Sequence, residues 1–255
     1  MNLPKVHTIG DMPYRKNIFE KGRPVHVISR SIEERKIFHD EEDCFRFIFQ
    51  AYAVNIGSPA RILWRQDVVK IAKAILEGEK ISSKFIVKEH PPLVDFLDFS
   101  LVINHNHFYL VPNFDKVVSI FVRNLNNGFA QYFNLKHKRK GVLFDGRYRA
   151  VMIEGQIQSD AVSRYISVIN PLDVFQPKWR ENGLKNISGA FHFLENYQFS
   201  SFPDKVGKRK SRFLAPPEIL EKYLTIGPRE TREYEDFVKG FLNERSSLFE
   251  ASYLE

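Results

Sequence analysis

A mixed fold, either α/β or an α+β sheet with helices on one face, is what this sequence predicts. Three observations carry that expectation. Short segments alternate apolar and polar residues with a period of two, others carry apolar positions at helical spacing, and the two kinds interleave as strand, helix, strands, helix, strand, helix. The 255 residues, 43% of them hydrophobic, suffice to bury a sizeable core, as one large domain or a core with a smaller attachment.

Residues 1–22 read as an irregular arm with Pro, Gly and basic side chains. Arg23 to Arg30 alternates as a strand. Acidic residues from Asp40 to Asp43 open a helix whose apolar face runs through Cys44, Phe45, Phe47, Ile48, Ala51 and Tyr52, and Gly57-Ser58-Pro59 breaks it. Asp67 to Leu76 predicts a second helix, ended near Gly78. After His90-Pro91-Pro92, residues 93–112 are apolar and β-branched, as one or two strands require. Asp115 to Leu135 predicts a long helix, Lys136 to Arg149 a basic loop, and Tyr148 to Glu154 a strand. Gln158 to Ile169 has a helical pattern that Asn170-Pro171 is expected to stop. From Asp173 the tail is rich in turns, with a last helix across Glu230 to Phe249.

The net charge of +7 suits a polyanionic partner such as nucleic acid. The single cysteine, Cys44, excludes an intramolecular disulfide and a cysteine-based zinc site, and fits a reducing, cytoplasmic compartment. The first 30 residues lack the apolar run of a signal peptide, and no run of 18 apolar residues predicts a membrane span.

Two segments carry chemistry. In Ile103-Asn104-His105-Asn106-His107-Phe108-Tyr109, strand alternation sends His105 and His107 to one face, about 7 Å apart at Cα. Two imidazoles so placed can converge on one divalent ion, with a third ligand from elsewhere; a pair of strand histidines without metal is the bland alternative. Tyr165 follows on the helix ended by Asn170-Pro171. A phenol of pKa about 10 needs a neighbouring cation or base to act as nucleophile at neutral pH.

These segments fall in a longer series: Val25-His26-Val27-Ile28-Ser29-Arg30, Lys36 through Asp43, Asn104-His105-Asn106-His107, Gln131-Tyr132-Phe133-Asn134, Gly141 through Arg149, Ser163-Arg164-Tyr165-Ile166 and Asn196 through Ser201. In that order the chain resembles the single-tyrosine HUH transposases, in particular their REP-associated tyrosine transposase branch. The resemblance implies an α+β, ferredoxin-like (RRM-like) antiparallel sheet with helices packed on it, over a core of residues 1–180. Residues 55–92 would be an insertion and 181–255 a mostly helical C-terminal extension. It implies a bacterial-type, nucleoid-associated enzyme that cleaves and rejoins single-stranded DNA beside a hairpin. Tyr165 would be the nucleophile, joined to a 5′ phosphate, and His105 and His107 would hold Mg²⁺ or Mn²⁺. Members include monomers and homodimers.

Two positions depart from the pattern. Asn106 stands where the motif usually has a bulky apolar residue, and if its face is core the amide needs partners. The third metal ligand usually comes four residues after the tyrosine, but that position is Ile169. Asn170 follows, about 100° further round an ideal helix, where a bulge could restore its aim.

Lys136, Lys138, Arg139, Lys140, Arg147 and Arg149, opposed by Asp145 alone, are expected to contact phosphates together with Arg30. Phe144 and Tyr148 are expected to offer stacking faces; the alternative is a solvated loop with Phe144 in the core. Lys205, Lys208, Arg209, Lys210 and Arg212 form a second cluster that could meet a hairpin stem. Two other readings stay open: a catalytically impaired, domesticated DNA- or RNA-binding protein on the same fold, and an unrelated two-histidine phosphodiesterase that would not need Tyr165.

Overall fold

The computed structural model describes residues 19–57, 65–82, 88–225 and 231–243. The arm read over residues 1–22 lies mostly outside them. Val25–Arg30 forms β1, and after a short helical turn Glu41–Ile56 forms α1. Asp40 caps that helix, its side chain accepting from the Asp43 N–H, and three acidic residues fill the positive first turn. Gly57 ends it at φ 102°, a left-handed position open to glycine. Val68–Leu76 is α2. It packs on α1 and buries Val68, Ile71, Ala72 and Ile75 in the core, so this helix is internal scaffold.

Residues 93–112 resolve into two strands, Val94–Val102 (β2) and His105–Pro112 (β3), joined by a tight turn at Ile103-Asn104. Val117–Lys136 is α3 and Arg149–Met152 is β4. The four strands form one antiparallel sheet of order β2-β3-β1-β4.

Alternation sends Val25, Val27, Phe99, Leu101, Phe108 and Leu110 to one face, against phenylalanines of α1 and α3. Each such buried aromatic contributes about 1.5–3 kcal/mol. The other face is covered too, so helices flank the sheet on both sides and not on one. Tyr109, Val111 and Leu97 there meet residues of the chain from Ile153 to Leu242. Beyond β4, that chain forms Gln156–Arg164 (α4), a single π-turn at Tyr165–Ile169, Asn170–Phe175 (α5), Trp179–Asn182 (α6), Ile187–Asn196 (α7), Phe202–Lys205 (α8), Pro217–Tyr223 (α9) and Thr231–Asn243 (α10). Among the described residues, no helix is long and apolar enough to cross a membrane.

The expected stop at Asn170-Pro171 does not occur. Pro171 stands in the first turn of α5, where a missing N–H is tolerated, and the π-turn opens the coil ahead of its ring.

Candidate active site

Strand register builds the site. On the face toward α4 and α5, His105 lies between Val102 of β2 and Arg30 of β1. His107 lies between Ser100 and Ile28, with Arg149 of β4 beyond Ile28. Tyr109 lies between Asp98 and His26. The His-x-His pair thus shares one face, its ring centroids 4.7 Å apart, and a third imidazole joins it from β1.

His26 Nε2 and His107 Nδ1 are hydrogen-bonded at 2.9 Å. With that proton on His107, its Nε2, which is buried and has no partner among the described residues, is left with a lone pair. His105 Nδ1 meets the Asn104 carboxamide oxygen at 2.6 Å. That oxygen only accepts, so His105 donates and its Nε2 also carries a lone pair. Burial pushes His26 down to about 3. Burial, and after it the charges of Arg30, Arg180 and His26, pushes His105 down to about 3, and His107 is lowered in the same way. The imidazoles are therefore neutral at pH 7, the form in which nitrogen can bind a cation.

Tyr165 is 1% exposed, but its burial is not wholly apolar. Its ring centroid is 5.6 Å from that of His107 and 6.1 Å from that of His26, and the Arg180 guanidinium lies 5.3 Å from its centre. The chain forms a π-turn directly after Arg164. The Asn170 N–H bonds the Tyr165 carbonyl five residues back, so Asn170, not Ile169, stands one turn along from the tyrosine. The Asn170 side chain is buried, accepts from Arg180 Nη2 at 3.1 Å, and keeps an unpaired Nδ2. Arg180 also pairs with Asp173 at 2.6 Å.

The Nε2 lone pairs of His105 and His107 are thus not committed to a hydrogen bond among the described residues, whereas the Asn170 carboxamide oxygen already accepts from Arg180. Among the described residues, no group of three or more His, Cys, Asp and Glu is arranged to hold a metal ion.

Asn106 faces the other way, into the core, where neither of its amide atoms finds a partner among the described residues. Arg30, partly exposed, flanks His105, and the exposed Arg149 projects on the same face. Lys138, Lys140 and Arg147 are exposed. Arg139 is occupied with Asn134 and the Val142 carbonyl, and the Tyr148 hydroxyl meets Ser119 at 2.7 Å.

Two of the expected nucleic-acid contacts have other employment. Phe144, 7% exposed, packs against Phe129 in the core and offers no stacking face. Lys136 is held by Asp40 at 2.9 Å, Asp43 at 2.8 Å and Glu42 at 3.2 Å, so its charge is neutralised within the fold. In the second basic cluster, Lys205 is mostly covered, its side chain 11% exposed. Its Nζ donates to Asp98 at 2.5 Å and also to Ser163. Ser163 and Ser201 both donate to the Asp98 carboxylate. This network ties β2 and α8 to the helix two residues ahead of Tyr165. Arg209 pairs with Asp204 and Lys208 with Glu195.

His26 and Arg180 did not stand out in the sequence. The period-two pattern of β1 puts His26 on one face with Arg30, but pairing with His107 depends on strand register. Arg180 reaches Tyr165 from a short helix in a turn-rich stretch without a motif.

No family model and no curated protein matches the chain. Among solved structures, it is similar to a REP-associated tyrosine transposase bound to a REP hairpin, at 14% identity and a TM-score of 0.45, over 80% of this chain and 92% of the other. A likeness of that depth carries no functional argument.

Proposed function

We propose that this chain is a single-tyrosine HUH-type nuclease and strand transferase for single-stranded DNA, built on a ferredoxin-like frame. The observation that carries the reading is the Tyr165 ring lying 5.6 Å from that of His107, which shares its strand face with His105, while a π-turn brings Asn170 one turn along from the tyrosine. The β-α-β-β-α-β order of the sheet and its main helices supports the frame.

In this reading the Tyr165 oxygen attacks a backbone phosphorus. The phenol loses its proton, the bond from phosphorus to the 3′ oxygen breaks, and that oxygen leaves as a hydroxyl after taking up a proton. The 5′ phosphate remains on the tyrosine, and a later 3′-hydroxyl reverses the linkage without external energy. His105, His107 and Asn170 would hold Mg²⁺ or Mn²⁺, which when bound polarises the phosphate oxygens. Arg30 and Arg180 place positive charge beside the imidazoles, where the charge of the phosphate gathers.

Incubation with labelled, hairpin-bearing single-stranded DNA and Mn²⁺ or Mg²⁺ tests the proposal. A denaturant-resistant adduct should form, vanish in Tyr165→Phe, and fall strongly in His105→Ala or His107→Ala. An adduct that persists in Tyr165→Phe assigns the nucleophile elsewhere. DNA binding without an adduct at any metal concentration supports a non-catalytic binding protein, the reading that the near-complete burial of Tyr165 favours.

A further inference from the structure

On the opposite side of the sheet, a groove of about 660 Å³ runs between α3 and the segment that leads to β4. That size is in the range of sites for small organic groups. Its floor includes Val122, Ala130, Leu143 and the buried Phe144. On one wall Arg123, Asn127 and Gln131 follow one another at steps of four along α3, so they share a face. All three are exposed, and they carry no hydrogen bond or ion pair among the described residues. Asn126 and Asn134 line the groove beside them, but are bonded to Ser29 and to the Gly141 carbonyl. Arg147 and Tyr148 close the far side.

The chemistry of this lining is selective. It has guanidinium, carboxamide and phenol groups over an apolar floor, and no carboxylate; α3 contains no Asp or Glu at all. Carboxamides match the paired donor and acceptor on a purine edge, adenine best, and an apolar floor with an aromatic edge suits a flat base. The lining holds no carboxylate, and Asp145 beside it is the one acidic side chain of the segment leading to β4, against Arg147 and Arg149.

The groove is also joined to the site around Tyr165. Arg147 lines it, and two residues later Arg149 lies on the histidine face opposite Ile28. Between them and β1, the Asp145 N–H bonds the Arg30 carbonyl at 2.8 Å, so the segment passes the end of β1 beside the arginine that flanks His105.

We propose that this groove holds one unpaired purine of a single DNA strand whose backbone rounds the β4 edge of the sheet from Tyr165, past Arg149 and Arg147. The inference rests on the single-strand reading above and adds a base-holding site to it.

Fluorescence anisotropy on the whole chain tests it without metal and without chemistry. A purine-containing single strand is compared with a set in which each base in turn is replaced by an abasic site, for the native chain and for Asn127→Ala/Gln131→Ala. One abasic position should weaken native binding about tenfold, and that position should cost the double variant little or nothing. Both substitutions are on the exposed face of α3, and an unchanged thermal melt verifies the fold. If the variant binds every strand as the native chain does, or suffers the same abasic penalty, the groove is not the base site. Failure of the catalytic reading looks different: no adduct forms under any metal condition, whatever the abasic scan gives.

Discussion

The backbone N–H of Asn170 bonds the carbonyl of Tyr165 five residues back, and this one wide turn decides which side chain stands beside the tyrosine. In a regular helix Ile169 would occupy that place and present a hydrocarbon to the histidine face. The extra residue places a carboxamide, in place of a hydrocarbon, one turn along from the tyrosine.

Asn170→Ala should therefore weaken Mn²⁺ binding about 10–100-fold, and Asn170→Asp should restore much of it. Calorimetric titration of Mn²⁺ into the whole chain measures this without DNA. Equal affinity in Asn170→Ala would remove this residue from the ligand set.

Arg180 touches both the Tyr165 ring and the Asn170 oxygen. Arg180→Ala should lower the rate of adduct formation about a hundredfold, as removal of one preorganised donor typically does. Arg180→Lys keeps the charge but not the planar fork, and should rescue only in part. Single-turnover rates at saturating DNA separate this loss from weaker binding.

Lys205→Met strands the fully buried Asp98 carboxylate and should destabilise the fold by about 3–5 kcal/mol in urea melts. Asp98→Asn/Lys205→Met should recover part of that. Burial alone would lower the Lys205 ammonium, but the Asp98 charge outweighs it and holds the group above its ordinary 10.5. A raised lysine stabilises fully below its unfolded pKa, and that share is lost as pH rises through the folded value. Native stability should thus fall above about pH 10.5 more steeply than that of Lys205→Met.

The basic stretch before β4 divides in two by salt dependence. Lys138→Ala, Arg147→Ala and Arg149→Ala should each reduce the slope of log affinity for single-stranded DNA against log salt by about 1. Lys136→Met should leave the slope unchanged and lower thermal stability, because it removes the cation facing the buried Asp43. A change of slope in Lys136→Met would return that residue to the binding surface.

Much of this was legible in the amino-acid order. Alternation places His105 and His107 on one face whatever the rest of the fold does, since the pleat has a period of two. Asp40 and Gly57 bracket α1 through local capping chemistry that needs no tertiary partner. The helical pattern leading to Tyr165 and the basic run from Lys136 to Arg149 are likewise properties of neighbours in sequence.

Other features depend on groups far apart in the chain. His26 meets His107 across 81 positions because β1 and β3 pair in one register. Lys205 sits in a run that looks solvated, yet it pairs with the buried Asp98, 107 positions away. Phe144 and Lys136 look available in sequence, but packing takes Phe144 into the core and acidic residues at the start of α1 engage Lys136. Local patterning fixed which residues could share a strand face or a helix turn, because those periods are set by the backbone. Burial, tautomer and the π-turn at Tyr165 were decided by tertiary packing, since they depend on which distant surface each side chain meets and on the hydrogen bonds it finds there.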